Sequence, residues 1–337
     1  MEIPTICSGL SHPITKRWQS SKRLSKDMLV YPLFVSDDPE EDSGLEGMEG
    51  LRRRGISKLI PFVSTLVEKG LRSVILFGIV ENSKKDAFGT QADAESGPVI
   101  KALKALRSNF PGLFIICDVC MCEYTTHGHC GLLSPEYEAE IQRGKSPLLL
   151  AESIDRITEI ALNYAKFGAD SVAPSDMMDG RIKSIKDRLY QNGFGNRVFV
   201  MSYSAKFSSE LYKPFRDIAC SKPSFGDRTN YQFPHTANGY FERAILKDTQ
   251  EGSDCIIIKP SLFYLDAVYI AASDVAKYHP ICIYQVSGEY ALLDTASKAG
   301  LVDAEKIVLE SHESFVRAGA SIIISYFTPQ LLDWLKT

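Results

Sequence analysis

Apolar runs rich in β-branched residues recur eight times along the chain, and segments with helical periodicity separate most of them. Strands are predicted at residues 28–35, 73–79, 113–119, 170–173, 198–203, 255–258, 281–286 and 321–327. Continuous apolar strands of this kind are typical of parallel sheets that helices cover. The pattern therefore predicts an α/β protein whose strands are buried on both faces.

Helices are predicted between the strands, at residues 57–69, 98–109, 153–167, 182–191, 240–250, 262–278 and 303–317. Ser153 is a candidate N-cap for the third of these helices, and Gly168 a candidate stop. The acidic segment 37–49 is predicted to be a solvated connection. Strands that alternate with helices favour a closed, parallel, eight-stranded (β/α) barrel of the TIM type. The alternative is an open doubly wound sheet. Such sheets often bind nucleotides through a glycine-rich loop, and this sequence contains no such motif.

Composition narrows the class of protein. The chain has 337 residues, of which 45% are hydrophobic and 24% charged, as in soluble globular proteins. A net charge of −4 gives no positive field for nucleic acid, and no apolar run approaches the ~20 residues of a membrane helix. The eight cysteines are clustered, which favours metal binding in a reducing compartment. We therefore expect a cytoplasmic protein, free to diffuse into the nucleus, without nucleic-acid or membrane partners.

The N-terminal segment has a composition of its own. Residues 3–26 contain five basic residues and no acidic one, as organellar transit peptides do. Pro4, Gly9 and Pro13 interrupt any amphipathic helix there. We therefore predict an extended arm over residues 1–27, ahead of a barrel catalytic domain over residues 28–337, and keep organellar targeting as the alternative.

Residues 117–130 hold four of the eight cysteines and two of the six histidines, directly after the third strand. Cys120, Cys122 and Cys130 offer three thiolates, which zinc prefers as ligands. One of the two histidines or Cys117 can complete such a site, although Cys117 lies within an apolar run and suits the core equally well. Spacing alone leaves open whether a zinc ion here is catalytic or clips the loop together.

Two lysines stand at the ends of neighbouring apolar strands. Lys206 follows the fifth strand and Lys259 ends the sixth. Adjacent strands lie ~4.8 Å apart, so the two amines are expected to be close neighbours. Burial and like-charge repulsion both favour a neutral amine, which is the nucleophile that forms a Schiff base with a ketone. The alternative is a pair of lysines that escape to the barrel mouth and pair with a carboxylate such as Asp176.

The long polar segment 207–235 is predicted to be an active-site lid. It carries Arg216 and Arg228, whose guanidinium groups match the geometry of a carboxylate. Ser287 and Tyr326 follow later strands and offer hydroxyls for a second carboxylate. Taken alone, either arginine is better explained as a solvated surface residue. The alternative for either hydroxyl is ordinary polarity at the barrel mouth.

Ten segments of the sequence match one family together. They read HPITKRWQ, MLVYPLFVSD, CDVCMCEYTTHGHCG, APSDMMDGRI, MSYSAKFSS, YKPFRDIACS, FGDRTNYQ, IIIKPSLFYLD, YQVSGEYALL and RAGASIIISYFTP. Over essentially its whole length, the chain resembles the porphobilinogen synthase family, also called delta-aminolevulinic acid dehydratase, in its zinc-dependent form. The resemblance implies a hydro-lyase that condenses two 5-aminolevulinate molecules to porphobilinogen, an early step of tetrapyrrole (heme) biosynthesis. It also implies a homo-octamer in which the N-terminal arm wraps a neighbouring copy.

The resemblance also assigns roles to individual residues. It implies that Lys206 and Lys259 form the Schiff bases on the acetate and propionate sides of the product. The remaining implied site residues are the zinc ligands Cys120, Cys122 and Cys130, the acetate-side binders Arg216, Arg228 and Gln232, the propionate-side binders Ser287 and Tyr326, the residues near the substrate amines Asp118 and Ser175, and His129 beside the metal ligands.

Three details depart from the family pattern. Ser261 stands where many bacterial members have glycine or alanine, and Asn230 where some have cysteine. The helix glutamate that holds an allosteric magnesium in many bacterial members has no match in residues 240–250, so no magnesium is predicted. Two other classes remain as alternatives: a class I aldolase, which needs one lysine and no zinc, and a barrel whose cysteine loop is a structural clip or thiol sensor.

Overall fold

The computed structural model describes residues 13–19, 22–45, 48–143 and 145–336, except for the side chain of Trp18. The strands within these ranges are β1 Leu29–Ser36, β2 Asp42–Leu45, β3 Met48–Arg54, β4 Ser73–Ile79, β5 Phe114–Val119, β6 Ser171–Pro174, β7 Phe199–Lys206, β8 Cys255–Lys259, β9 Ile281–Tyr284 and β10 Ile322–Ile324. The α-helices are α1 Pro13–Trp18, α2 Ile56–Glu68, α3 Pro98–Asn109, α4 Tyr137–Gln142, α5 Leu150–Lys166, α6 Arg181–Gln191, α7 Lys213–Ile218, α8 Tyr240–Gln250, α9 Leu265–Ile270, α10 Ser287–Lys298, α11 Ala304–Ala318 and α12 Thr328–Trp334.

Eight of the strands close into a parallel barrel. The strands β1 and β4 to β10 pair with their neighbours in chain order, and β10 returns to pair with β1 through Leu29 and Ile323. Their residues are almost all buried, because the barrel interior covers one face and the helices cover the other. The predicted (β/α) barrel is confirmed, and all eight predicted strands overlap the eight barrel strands.

Most of the predicted helices are present with small differences in their bounds. The ranges 98–109 and 240–250 match α3 and α8 residue for residue. Gly168 adopts a φ of 101° just after α5, as a helix stop of this kind requires. The predicted cap at Ser153 is wrong: α5 begins at Leu150, and the Ser153 hydroxyl instead accepts the backbone N–H of Leu132 at 2.8 Å.

Other differences come from elements with weak local signals. The segment 37–49 is not a simple solvated loop, because β2 and β3 form an antiparallel hairpin whose second strand pairs with β1 at Phe34 and Val35. The predicted helix 262–278 ends earlier, as α9 runs directly into a short π-helix, Ala271–Val275. The predicted ranges contain no counterpart of helices α1, α4, α7, α10 and α12. No helix among the described residues has the length and apolar character needed to cross a membrane.

The N-terminal arm is described only in part. Residues 13–18 form the short helix α1 instead of extended chain, and Pro13 opens that helix, where its missing N–H costs no hydrogen bond. The rest of the predicted arm up to residue 12, with residues 20 and 21, lies outside the described residues.

Candidate active site

The candidate site is a small buried cavity at the carboxyl end of the barrel, where catalytic groups lie in enzymes of this architecture. Its volume is about 20 Å³. Eight of the residues singled out from the sequence line it together, with four others. The predicted lining residues are Asp118, Cys122, Ser175, Lys206, Arg216, Arg228, Gln232 and Lys259, and the others are Phe77, Glu123, Tyr212 and Phe215.

The two lysines lie side by side, on neighbouring strands of the barrel. Lys206 is the last residue of β7 and Lys259 the last of β8, and the register of the two strands pairs them directly. This pairing depends on a bulge, since Tyr203 pairs with Ile257 and Ala205 with Ile258, which leaves Ser204 without a partner. In a regular ladder, Lys259 would face Ala205 instead. The bulge therefore brings the two amines to the same level of the barrel.

Lys259 is buried among aromatic rings. Its Nζ lies 4.2 Å from the ring centroid of Tyr284, and 5.1 to 5.4 Å from those of Phe215, Tyr212 and Tyr203. Burial, and then the charge of Lys206, lowers the pKa of Lys259 to about 7. A lysine with this pKa is neutral in a large fraction of molecules at physiological pH, which gives the amine its nucleophilic form.

Lys206 has a different environment from Lys259. Its Nζ donates a hydrogen bond to the backbone carbonyl of Ser175, the residue that follows β6. The alternative partner considered from the sequence, Asp176, lies 3.6 Å from Arg181 and accepts the backbone N–H of Met178. Asp176 therefore belongs to a buried arginine network and does not neutralise either lysine through a direct ion pair.

Asp118 is a buried carboxyl group that lines the same cavity as the two lysines. It is the second-last residue of β5, accepts a hydrogen bond from the Ser175 hydroxyl at 3.0 Å, and is 6% exposed. Burial, and then the neighbouring Glu123 carboxyl, raises the pKa of Asp118 to about 7. Asp118 is therefore able both to hold and to release a proton near neutral pH.

The three cysteines Cys120, Cys122 and Cys130 converge in the loop after β5. Their sulfur atoms lie within 4.8 Å of one another, and all three residues are buried. Thiols of Cys120 and Cys122 hydrogen-bond to Cys130 and lower the pKa of its thiol, and a thiolate is the form that binds metal. Three converging soft donors suit zinc or another thiophilic metal. Cys117 does not belong to this cluster; it packs in the main hydrophobic core and has no exposed surface.

The cluster of possible metal ligands consists of the three cysteines and includes neither histidine of the loop. The Nδ1 of His129 lies 3.2 Å from the Tyr231 hydroxyl, and its Nε2 lies 3.1 Å from the Phe225 carbonyl. Both ring nitrogens therefore already have partners in the segment 207–235. His127 accepts the backbone N–H of His129 at Nδ1. His129 thus ties the cysteine loop to the segment 207–235, the arrangement expected of a residue beside the ligands.

Segment 207–235 supplies the polar groups above the cysteines and lysines. Arg228 is 6% exposed and donates to the backbone carbonyls of Gly128 and Ser221 through one Nη atom, while its Nε has no partner. Arg216 is half-buried, and burial followed by repulsion from Arg228 lowers its pKa. Gln232 is buried, and neither its amide oxygen nor its amide nitrogen has a hydrogen-bond partner. Unpaired buried donors of this kind are suited to bind a ligand carboxylate.

The predicted hydroxyl pair Ser287 and Tyr326 does not line the cavity. The Ser287 hydroxyl accepts the backbone N–H of Phe215 at 2.9 Å, and the Tyr326 hydroxyl lies 3.1 Å from that of Tyr284. Both residues have no exposed surface. Each is therefore bonded to a residue, Phe215 or Tyr284, whose ring packs against Lys259.

Sequence reasoning missed several residues of the site. Glu123 is a buried carboxyl that lies 3.2 Å from the Cys122 sulfur, and only its position inside the cysteine stretch could have drawn attention to it. Phe77, Tyr212 and Phe215 form apolar walls, and no local pattern distinguishes them from other core aromatics.

Comparisons with known proteins match the chain over its full length. A family model described as delta-aminolevulinic acid dehydratase matches residues 7–334. The delta-aminolevulinic acid dehydratase of Candida glabrata is 53% identical, with 99% of this chain and 96% of the relative covered. That of Bos taurus is 48% identical, with 98% and 97% covered. The crystal structure of the Toxoplasma gondii enzyme in complex with its reaction product porphobilinogen superposes with a TM-score of 0.92 at 29% identity, covering 99% of this chain and 92% of that one.

Proposed function

The chain belongs to the delta-aminolevulinic acid dehydratase family, and from this membership we propose that it condenses two 5-aminolevulinate molecules to porphobilinogen with loss of two waters. The observation that carries the proposal is the pair Lys206 and Lys259, which lie in register at the ends of adjacent strands in an aromatic cavity. A reaction that joins two ketones through imines needs two amines in one site.

The two lysines account for the water balance of the reaction. Each neutral Nζ adds to the ketone carbon of one substrate, and loss of the ketone oxygen as water leaves an imine. One carbon–carbon and one carbon–nitrogen bond then join the substrates, and each new bond releases one lysine. Two waters are therefore lost and both amines are regenerated.

The surrounding polar groups fit a substrate with one carboxylate per molecule. Arg216, Arg228 and Gln232 offer donors for the carboxylate on the acetate side. Ser287 and Tyr326 offer hydroxyls for the other carboxylate. Ser287 must then exchange its bond to the Phe215 backbone for a bond to substrate.

The donor set Cys120, Cys122 and Cys130 supports zinc as the metal of the site. A bound zinc ion supplies a Lewis acid that orients and polarises a substrate amino group. Asp118 and Ser175 line the same cavity and are hydrogen-bonded to each other, and in this proposal they hold and accept protons near the substrate amines.

Segment 207–235 acts as the lid in this proposal. The cavity has room for about one water molecule, whereas the reaction brings two organic substrates together. Five of the twelve lining residues come from the segment, which contains the short helix α7. Its outward movement is therefore the simplest way to admit substrate, and its return excludes water from the imines.

Assembly and compartment are part of the same proposal. We expect a homo-octamer in the cytoplasm, in which the N-terminal arm contacts a neighbouring copy. Light scattering of the full chain and of a chain that begins at residue 28 tests this expectation, since loss of the arm should reduce the oligomer size.

The decisive experiment supplies 5-aminolevulinate to the purified protein, with and without a metal chelator, and measures porphobilinogen. Borohydride added early should trap substrate on Lys259, and Lys259→Met should abolish product. Lys183→Met is the matched control, because Lys183 is an exposed residue that pairs with Asp187. Covalent label found only on other lysines, or turnover that persists in Lys259→Met, would refute the assignment.

A further inference from the structure

The carboxylate of Glu289 joins two parts of the candidate site. Glu289 lies in the first turn of α10 and has no exposed surface. Its Oε1 accepts the backbone N–H groups of Ser261 at 2.9 Å and Leu262 at 2.6 Å. Its Oε2 accepts the Ser261 hydroxyl and the Val286 backbone N–H, both at 2.8 Å. The four donors therefore occupy both oxygens.

Only one of these bonds has the form of a helix cap. The bond from Val286 satisfies the start of α10, as a glutamate at this position of a capping box does. The other three bonds reach Ser261 and Leu262, which follow Lys259 by two and three residues along the chain. A cap alone needs none of them, so the carboxylate also fixes the turn that follows β8.

The carboxylate is held by neutral donors. No ion pair to Glu289 occurs among the described residues, and the titratable groups that face it are the hydroxyls of Tyr212 and Tyr264. Burial raises the pKa of Glu289 to about 7, and the bonds from Val286 and Ser261 oppose that rise. The Ser261 hydroxyl is the one donor of the four that comes from a side chain.

We propose that Glu289 is a positioning residue that fixes Lys259 relative to Ser287, and that the Ser261 hydroxyl strengthens this clamp. The inference rests on the proposed function, because Lys259 is the imine-forming amine only in that proposal. The distance between Lys259 and Ser287 is thereby fixed. One substrate must span this distance, with its ketone at Lys259 and its carboxylate at Ser287.

The test measures borohydride trapping of 5-aminolevulinate separately at Lys259 and Lys206, by peptide mass spectrometry. Glu289→Gln keeps the size of the side chain but places an amide N–H₂ against donors. It should lower the trapping rate at Lys259 by about tenfold or more, as expected for a lost bond to a charged group, and change Lys206 by less than about twofold. Ser261→Ala should give a smaller loss, about two- to fivefold, at Lys259 alone.

Val63→Ala is the control, because it removes buried methyl groups from α2 without touching the site. Equal losses at both lysines in Glu289→Gln, or a loss at Lys259 in Val63→Ala as large as that in Glu289→Gln, would overturn the proposal. If Glu289→Gln does not fold, Ser261→Ala decides, and unchanged trapping at Lys259 would overturn it. Absence of trapping at Lys259 in the unsubstituted protein would instead refute the proposed function.

Discussion

Replacing Lys206 by methionine should raise the pKa of Lys259. The pKa of Lys259 is about 7, because burial and then the positive charge of Lys206 disfavour its protonated form. Methionine keeps the length and apolar stem of the side chain but removes the charge. The second cause of the shift is therefore deleted while the first, burial, is left in place.

The size of the change follows from the separation of the two amines. Their nitrogens lie 5.6 and 5.4 Å from the same Tyr203 ring centroid, so at most about 11 Å separates them. Two charges ~5 to 11 Å apart repel by ~1.5 to 3 kcal/mol at an effective dielectric constant of ~20. The pKa of Lys259 should then rise by about one to two units. At pH 7 the neutral fraction would fall by about five- to fiftyfold.

The assay is the rate at which borohydride traps 5-aminolevulinate on Lys259, measured between pH 5 and pH 10. The rate should increase with pH as the amine loses its proton, with a midpoint near 7 in the unsubstituted protein and about one to two units higher in Lys206→Met. Lys206→Arg keeps the charge and should keep the midpoint. A midpoint that is the same in both variants would contradict the reasoning and leave burial as the sole cause.

Three further predictions concern the metal site, the acetate-side pocket and the lid. Cys122→Ala should lose bound zinc, measured by elemental analysis, because it removes a sulfur from the cluster. Cys117→Ala is the control and should keep its zinc, because Cys117 is buried outside the cluster. Equal zinc content in the two variants would contradict the three-cysteine site. Gln232→Leu removes an unpaired buried amide, so it should raise the free energy of unfolding by about 1 kcal/mol in a urea titration. The same variant should raise KM about tenfold, because the amide can no longer bind substrate. An unchanged KM would argue against a binding role. Arg53 donates to the carbonyls of Ile218 and Asp217 at the end of α7, so Arg53→Gln should speed proteolysis of segment 207–235 several-fold. Arg52→Gln is its control, since among the described residues Arg52 bonds through its side chain only to Asp42 of the same hairpin. Equal cleavage of the two variants would show that the contact does not hold the lid.

Local sequence carried most of the fold. Each barrel strand is a short apolar run with polar residues or glycine at its ends, and the period of the helices between them is visible without any tertiary information. Helix α10 and the β2–β3 hairpin could not be predicted in this way. Helix α10 begins at Ser287 with two buried polar groups and a buried glycine, so its inward face does not appear as an apolar stripe. The β2–β3 hairpin is charged and partly exposed, so its sequence lacks the apolar pattern of a strand. Its two strands are stabilised mainly because β3 pairs with the edge of β1.

The sequence by itself determined the chemical inventory of this protein: four clustered cysteines, two lysines at strand ends, and arginines in a long polar connection. Tertiary structure alone decided how these groups meet. The bulge at Ser204 pairs Lys206 with Lys259 on the neighbouring strand, and burial, followed by the charge of Lys206, lowers the pKa of Lys259. Glu289 bonds to Ser261, which lies 28 positions away from it in the chain. Register, burial and proximity depend on contacts between distant segments, and no local pattern encodes them.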